Sequence, residues 1–151
     1  MKYILILFIA TSVVVACNTT DKKAAGNHTN ASDSLAQKAM SDSANYTSVQ
    51  WLDSTTQDLG KINEGQLLEI SWRFKNTGTK PLVIANVSPG CGCTVAEKPE
   101  EPIAPGGEGV IKARFDSKGH PGQQNKNVSV RSNTKENFTQ LIFRVDVAKQ
   151  S

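Results

Sequence analysis

The sequence predicts an all-β fold, a two-layered sandwich of about seven short antiparallel strands that begins near Tyr46. Apolar and polar residues alternate in short runs, and Gly, Pro, Asn and Asp separate these runs. No segment beyond Tyr46 shows convincing helical periodicity. Short alternating strands with frequent turns are typical of an immunoglobulin-like β-sandwich, so we predict one such domain over residues 46–151.

The clearest strand is Leu67 to Lys75, where one face is apolar and the other polar. Its apolar positions are Leu68, Ile70, Trp72 and Phe74, and side chains alternate in this way along a strand buried on one side. The same pattern, or a weaker form of it, predicts the other strands. In chain order the seven are Val49 to Leu52, Leu67 to Lys75, Pro81 to Asn86, Cys93 to Glu97, Gly109 to Asp116, Asn127 to Arg131, and Thr139 to Val147.

The N-terminal residues 1–16 predict a lipoprotein signal peptide. Lys2 supplies a positive charge, the following run is apolar but too short to span a bilayer, and Val14-Val15-Ala16-Cys17 resembles the bacterial lipobox. That resemblance implies cleavage before Cys17 and lipidation of Cys17 with palmitate-type chains. Asn18 rather than Asp follows the cysteine, which favours the outer membrane. We therefore expect a cell-envelope protein, lipid-anchored to the periplasmic face or the surface.

Residues 17–45 are predicted to comprise the lipidated cysteine and a flexible linker. Ser, Thr, Asn, Asp, Ala, Gly and Lys dominate this segment, and Leu35 and Met40 are its only large apolar residues. Such a composition cannot bury enough surface to offset the entropy of ordering the chain. The sequence therefore predicts a disordered tether between the membrane and the sandwich.

Charge and motifs exclude several functions. The formal net charge of +3 is small, and the Lys and Arg residues are scattered, which argues against nucleic acid as a partner. The sequence lacks the G-x-S-x-G, H-E-x-x-H and phosphate-loop motifs of common enzymes. We therefore predict a protein that is not an enzyme.

Cys91 and Cys93 are the remaining cysteines once Cys17 is assigned to the anchor. In an oxidising compartment such a pair forms a disulfide, a redox couple or part of a metal site. Residues i and i+2 of an extended strand lie ~6.6 Å apart, close to the limit of about 6.8 Å for a disulfide. Positive φ at Gly92 would let the ring close. Because so short a loop stabilises a fold little, the pair is a candidate for function.

His120 is a candidate third member of this group. In an antiparallel sandwich with the predicted strand order, the loop containing Cys91 and Cys93 and the loop containing His120 emerge at the same end. Two thiolates and one imidazole suit Cu(I), or Zn with a fourth ligand. The sequence thus leaves open a structural disulfide, a redox pair and a metal site of Cys91, Cys93 and His120; outside this group it predicts no cofactor.

Five short motifs in order resemble one bacterial family. They are F-K-N-T-G (from Phe74), K-P-L-V-I (from Lys80), C-G-C-T (from Cys91), P-G-G-E (from Pro105) and F-D-S-K-G (from Phe115), followed by R-S-N at Arg131. This set resembles the domain of unknown function 1573, which is widespread in Bacteroidetes envelope proteins. The resemblance implies an immunoglobulin-like fold related to major-sperm-protein and cilium-associated sandwiches, and it implies no activity.

Two functions are compatible with this sequence. The first is a non-enzymatic envelope lipoprotein whose sandwich binds an envelope protein or a glycan, as such modules commonly do. The second is a thiol-redox or copper-binding protein that uses the Cys-Gly-Cys pair. The sequence does not identify the partner.

Overall fold

The computed structural model describes residues 31–149. Within them lie one α-helix, a short 3-10 turn and eight β-strands. Their bounds are α1 Ala31–Ser41, the 3-10 turn Ser43–Asn45, β1 Val49–Trp51, β2 Thr56–Asn63, β3 Leu67–Asn76, β4 Ile84–Pro89, β5 Thr94–Glu97, β6 Glu108–Asp116, β7 Gly122–Ser132 and β8 Phe138–Ala148.

The strands form two four-stranded sheets, which confirms the predicted immunoglobulin-like sandwich. Sheet one has the order β1-β3-β6-β5, and sheet two has the order β2-β8-β7-β4. The structure adds an eighth strand, β2, which pairs in parallel with β8. Gly60 has a φ of 70° and lies where the β2 register shifts between Asp58 and Lys61. That irregularity breaks the alternation on which the sequence prediction of strands depends.

The core lies between the inner faces of the two sheets. Phe143 of sheet two extends to sheet one, where its ring lies 5.6 Å from Phe115 and 6.5 Å from Trp72 between centroids. All three side chains are fully buried. Trp51 packs at the margin of the core, with its ring 5.5 Å from that of Phe74 in an edge-on arrangement. Both tryptophans are therefore packing residues.

Asn76 is a fully buried amide at the end of β3 whose hydrogen bonds are all satisfied. Its Oδ1 accepts from the Thr47 hydroxyl at 2.9 Å and from the Gly78 N–H at 3.1 Å. Its Nδ2 donates to the carbonyls of Lys80 at 2.8 Å and Ile103 at 2.9 Å. One side chain thus joins three parts of the chain, which are the segment before β1, the β3–β4 connection and the β5–β6 connection.

Asn133 performs a similar role next to sheet two. Its Oδ1 accepts the Val83 N–H at 2.7 Å, and its Nδ2 donates to the carbonyls of Asn45 at 2.8 Å and Pro81 at 3.0 Å. Only 1% of its surface is exposed. The chain before β1 is therefore fixed to the sandwich as far back as Asn45.

Part of the segment that was predicted to be a flexible linker forms a helix. Ala31–Ser41 is helical and packs against β4, with Ala36 only 8% exposed. Ala36 lies beside Val83, Ile84 and Pro102, which form an apolar surface at the edge strand β4. Burial against that surface supplies the stability that the segment lacks alone.

The predictions for residues 1–30, including the signal peptide and the lipidation of Cys17, lie outside the described residues. Within residues 31–149, no helix has the length and apolar character needed to cross a membrane.

Candidate functional site

Cys91 and Cys93 form a disulfide in a turn between β4 and β5. The Thr94 N–H donates to the Cys91 carbonyl at 3.3 Å, and this turn brings the two Cα atoms to 5.3 Å. That separation is shorter than the ~6.6 Å of an extended strand. Gly92 does not have the positive φ that we expected, so the turn, rather than a left-handed glycine, closes the ring.

Hydrogen bonds to both sheets hold this turn in place. Before it, the Gly90 N–H donates to the Asn127 carbonyl of β7 at 2.9 Å. After it, the Cys93 carbonyl accepts the Asp116 N–H at the end of β6 at 3.0 Å. A Cβ atom at Gly90 would collide with the Asn127 Oδ1, so a larger residue here would have to displace the Asn127 side chain. The turn therefore has a fixed position without any contribution from the disulfide.

A shallow groove opens beside Cys93 on the outer side of sheet one. We call it the thiol groove; its lining residues are Leu67, Gly92, Cys93, Val95, Arg114, Asp116, Lys118 and His120. Leu67 and Val95 are unusually exposed for large apolar residues, at 69% and 55%. Arg114 and Lys118 place two cationic side chains at the same groove. The disulfide thus borders a surface with both apolar and positively charged parts.

The structure brings His120 to the same groove as Cys93, as the predicted loop arrangement requires. The imidazole ring of His120 lies 6.0 Å from the Phe115 ring between centroids. The backbone N–H of His120 donates to the Ser117 carbonyl at 3.1 Å. The Ser117 hydroxyl in turn donates to the carbonyls of Asn63 and Gln66. The loop of His120 is thus fixed against the β2–β3 connection.

The structure does not assemble the metal site of Cys91, Cys93 and His120. In the disulfide the two sulfurs are bonded to each other and cannot act as thiolate ligands. Among residues 31–149, no three His, Cys, Asp or Glu side chains are grouped so that they could hold a metal ion. A Cu(I) or Zn site here would first require reduction of the disulfide.

The outer face of sheet one also carries paired charges. The Arg73 guanidinium donates to both carboxylate oxygens of Asp53, with a shortest distance of 2.7 Å, and the Arg73 N–H donates to the same carboxylate. These hydrogen bonds lower the pKa of Asp53 to about 2. Lys75 lies 3.7 Å from Glu108 on the neighbouring strand. Such pairs satisfy charges locally and are common on solvated sheet faces.

The outer face of sheet two differs because neutral polar side chains form much of it. We call this surface the amide face; its residues are Asn86 and Ser88 of β4, Gln123, Asn125, Asn127 and Ser129 of β7, and Gln140 of β8. Within residues 31–149, the side chains of Gln123, Asn125 and Gln140 are exposed and make no hydrogen bond. Beside them a groove is lined by Asp58, Lys61, Arg144 and Asp146, together with Gln123 and Asn125.

Sequence reasoning missed the amide face because it started the β7 strand too late. The predicted strand began at Asn127, whereas β7 begins at Gly122. Between them the side chains on the inner side are Gln124 and Lys126, so the segment lacks the apolar alternation of a half-buried strand. The dense run of amides from Gln123 to Asn127 was the available signal.

The sandwich resembles solved structures of low sequence identity. A protein of unknown function from Porphyromonas gingivalis W83 matches with a TM-score of 0.59 and 17% identity, over 70% of this chain and 49% of that one. The ASH/PapD-like domain 7 of human CEP192 matches with a TM-score of 0.53 and 11% identity, over 70% and 89%. The secreted serine protease VesC from Vibrio cholerae matches with a TM-score of 0.52 and 14% identity, over 67% and 23%.

These likenesses establish the fold as PapD-like and immunoglobulin-like. This chain spans about half the length of the Porphyromonas gingivalis protein and less than a quarter of VesC. No curated protein matches the sequence significantly. The model of the family described as protein of unknown function (DUF1573) matches residues 50–147, which include all of the sandwich except the first residue of β1 and the last of β8. The chain therefore belongs to the DUF1573 family.

Proposed function

We propose that this protein is a lipid-anchored component of the bacterial cell envelope whose sandwich binds an uncharged glycan and performs no catalysis. The observation that supports this proposal best is the amide face of sheet two. Its Gln123, Asn125 and Gln140 side chains are exposed and have no hydrogen-bond partner within residues 31–149. Glycan hydroxyls are the ligand chemistry that best matches such a surface.

The argument depends on the kind of polar group. An amide side chain offers two donors and an acceptor, so it pairs with a sugar hydroxyl in either direction and needs no counter-charge. Both outer faces carry charges, such as Arg73 and Lys112 on sheet one and Arg144 on sheet two, but sheet two also carries the row of amides. Adaptable Asn and Ser side chains supply hydrogen bonds in recognition surfaces such as antibody paratopes. The row of amides therefore supports placing the proposed binding on sheet two.

Phe138 adds an apolar contact at one end of this surface. It begins β8, pairs in register with Arg131 of β7 and is 51% exposed. An exposed aromatic ring offers a flat apolar area that can pack on the C–H face of a sugar. The amide face and Phe138 together provide hydrogen bonds and a stacking platform.

We expect the double variant Gln123→Ala/Asn125→Ala to bind glycan at least tenfold more weakly than the wild type. Two amides lose several neutral hydrogen bonds, each worth about 0.5–1.5 kcal/mol. The measurement is binding of the full chain to immobilised neutral oligosaccharides built from hexose and N-acetylhexosamine units. The matched control is Gln50→Ala, which removes an exposed amide from β1 of sheet one and should leave binding unchanged.

Two outcomes would contradict glycan recognition. Failure of the wild type to bind any oligosaccharide of the panel would exclude it. Equal weakening by Gln50→Ala and by the double variant would show that binding does not use the amide face. If the amide-face variants instead lose a crosslinked envelope protein, the face is a protein-binding surface.

The lipid anchor is a separate part of this proposal, supported by the lipobox-like end of the N-terminal apolar run. We expect Cys17→Ala to abolish incorporation of a palmitate analogue, because this residue is the proposed site of lipidation. Cys91→Ala is the control and should incorporate label normally. Unchanged labelling of Cys17→Ala would contradict the anchor without affecting glycan binding.

A further inference from the structure

We propose that the Cys91–Cys93 disulfide is a thiol-exchange site that accepts two electrons from a dithiol protein. In this exchange Cys93 is the sulfur attacked and Cys91 is the leaving group. The site lies on the outer side of sheet one and is independent of the glycan recognition proposed for sheet two.

A structural role explains this disulfide poorly. The bridge joins residues only two positions apart, and closing so short a loop removes little entropy from the unfolded chain. Backbone hydrogen bonds from Gly90 to Asn127 and from Asp116 to Cys93 already fix both ends of the turn. The fold therefore does not need the bond to position this segment.

The other motifs that define the family resemblance have evident structural roles. Asn76 of F-K-N-T-G and Asn133 of R-S-N are buried amides with all their hydrogen bonds satisfied. Ser117 of F-D-S-K-G is fully buried and binds two carbonyls. In C-G-C-T, by contrast, both cysteines are only half-buried, and Gly92 is exposed with open space around it. Thr94 is buried and Cys93 packs in part against the core, so packing accounts for these two residues but not for the bond between Cys93 and Cys91.

The two sulfurs are not equivalent in their surroundings. Cys93 lines the thiol groove together with the exposed Leu67 and Val95, whereas Cys91 does not line it. Arg114 and Lys118 also line the groove together with one carboxylate, Asp116, and the net positive charge favours the approach of an anionic thiolate. An incoming thiolate therefore reaches Cys93.

The Thr94 hydroxyl also distinguishes the two sulfurs, because it lies closer to one of them. Its side chain is buried, with 3% exposure, and its Oγ1 lies 3.4 Å from the Cys91 Sγ and 4.0 Å from the Cys93 Sγ. The hydroxyl can donate a hydrogen bond to a thiolate that forms on Cys91. A stabilised thiolate is the better leaving group in thiol–disulfide exchange. The position of Thr94 thus favours departure of Cys91.

The exchange proceeds in two steps, each an attack of a thiolate on a disulfide sulfur. A thiolate of the partner attacks the Cys93 Sγ, the Cys91–Cys93 bond breaks, and its electron pair remains on Cys91 as a thiolate. The partner's second thiolate then attacks the partner's own sulfur in this mixed disulfide and releases Cys93 as a thiolate. The partner leaves with a disulfide, and this protein keeps two electrons and takes up two protons as two thiols.

The test uses the full chain and glutathione as the thiol. After rapid acid quenching, mass spectrometry of the peptides locates the mixed disulfide, and we expect glutathione on Cys93. We also expect Thr94→Val to slow reduction by about three- to tenfold and Thr94→Ser to restore it. In the Cys93→Ser background, Thr94→Val should raise the pKa of the Cys91 thiol, measured from the pH dependence of alkylation.

A disulfide-bonded peptide with the sequence of residues 89–95 is the matched reference for the ring without the fold. Faster reduction of the protein than of this peptide supports the proposal. Equal or slower reduction, glutathione located on Cys91, or equal rates for Thr94→Val and wild type would each overturn it. Thermal unfolding of the Thr94→Val variant confirms that the comparison is made on folded protein.

Discussion

Replacing Asn76 with Ala should lower the free energy of unfolding by about 4 kcal/mol. The fully buried side chain satisfies the Thr47 hydroxyl, the Gly78 N–H and the carbonyls of Lys80 and Ile103. Its removal leaves the first three of these groups without that partner, whereas the Ile103 carbonyl still accepts the Leu82 N–H at 2.8 Å. Each buried unsatisfied group costs about 1–3 kcal/mol unless water reaches it. The midpoint of urea unfolding should fall by roughly 2 M for a domain of this size.

Asn86→Ala is the matched control for this experiment. Asn86 is an exposed amide on β4, and its one side-chain hydrogen bond is to the neighbouring Ser88 hydroxyl. Its replacement should change the free energy of unfolding by less than about 0.5 kcal/mol. If the two variants lose similar stability, the Asn76 network does not hold the loops as described.

Replacing Phe143 with Ala should destabilise the protein by a similar or larger amount, about 4–5 kcal/mol. The ring is fully buried and is the contact through which β8 packs against both Phe115 and Trp72 of the opposite sheet. Its loss removes apolar burial, leaves a cavity between the sheets and breaks two aromatic contacts. Thermal or urea unfolding, followed by tryptophan fluorescence, measures the loss.

Phe138→Ala provides a control with the same chemical change on the same strand. Phe138 is 51% exposed, so its replacement should cost less than about 1 kcal/mol. A difference of at least 3 kcal/mol between the two Phe→Ala variants is therefore expected. Comparable losses would mean that Phe143 does not join the sheets.

The sequence predicts the half-buried strands of this sandwich best. The β3 strand runs from Leu67 to Asn76, and its predicted counterpart ends only one residue earlier, at Lys75. Strict alternation succeeds here because one face of β3 packs in the core and the other meets solvent. β2 and the first half of β7 are not predicted, because they lack this alternation. Gly60 interrupts the pattern in β2, and the inner residues of β7 include the polar Gln124 and Lys126.

The candidate sites are predictable only in part. Residue types and spacing single out Cys91 and Cys93 and predict that His120 lies at the same end of the sandwich. They do not decide between a disulfide and free thiols, because this depends on the turn that Thr94 closes with Cys91. The role of the Thr94 hydroxyl and the amide face both depend on tertiary contacts or on strand pairing, which local sequence does not encode.

The parallel pairing of β2 with β8 determines when the sandwich can finish folding. β8 is the last strand of the sandwich, yet it lies between β2 and β7 in its sheet and carries Phe143 into the core. Until β8 arrives, β2 has no sheet to join, and β7 pairs only with β4. A chain that enters the envelope N-terminus first would thus keep its earlier strands only partly paired until residues 138–148 emerge. Contacts so distant in sequence form slowly, so the sandwich completes its folding only after residues 138–148 are available.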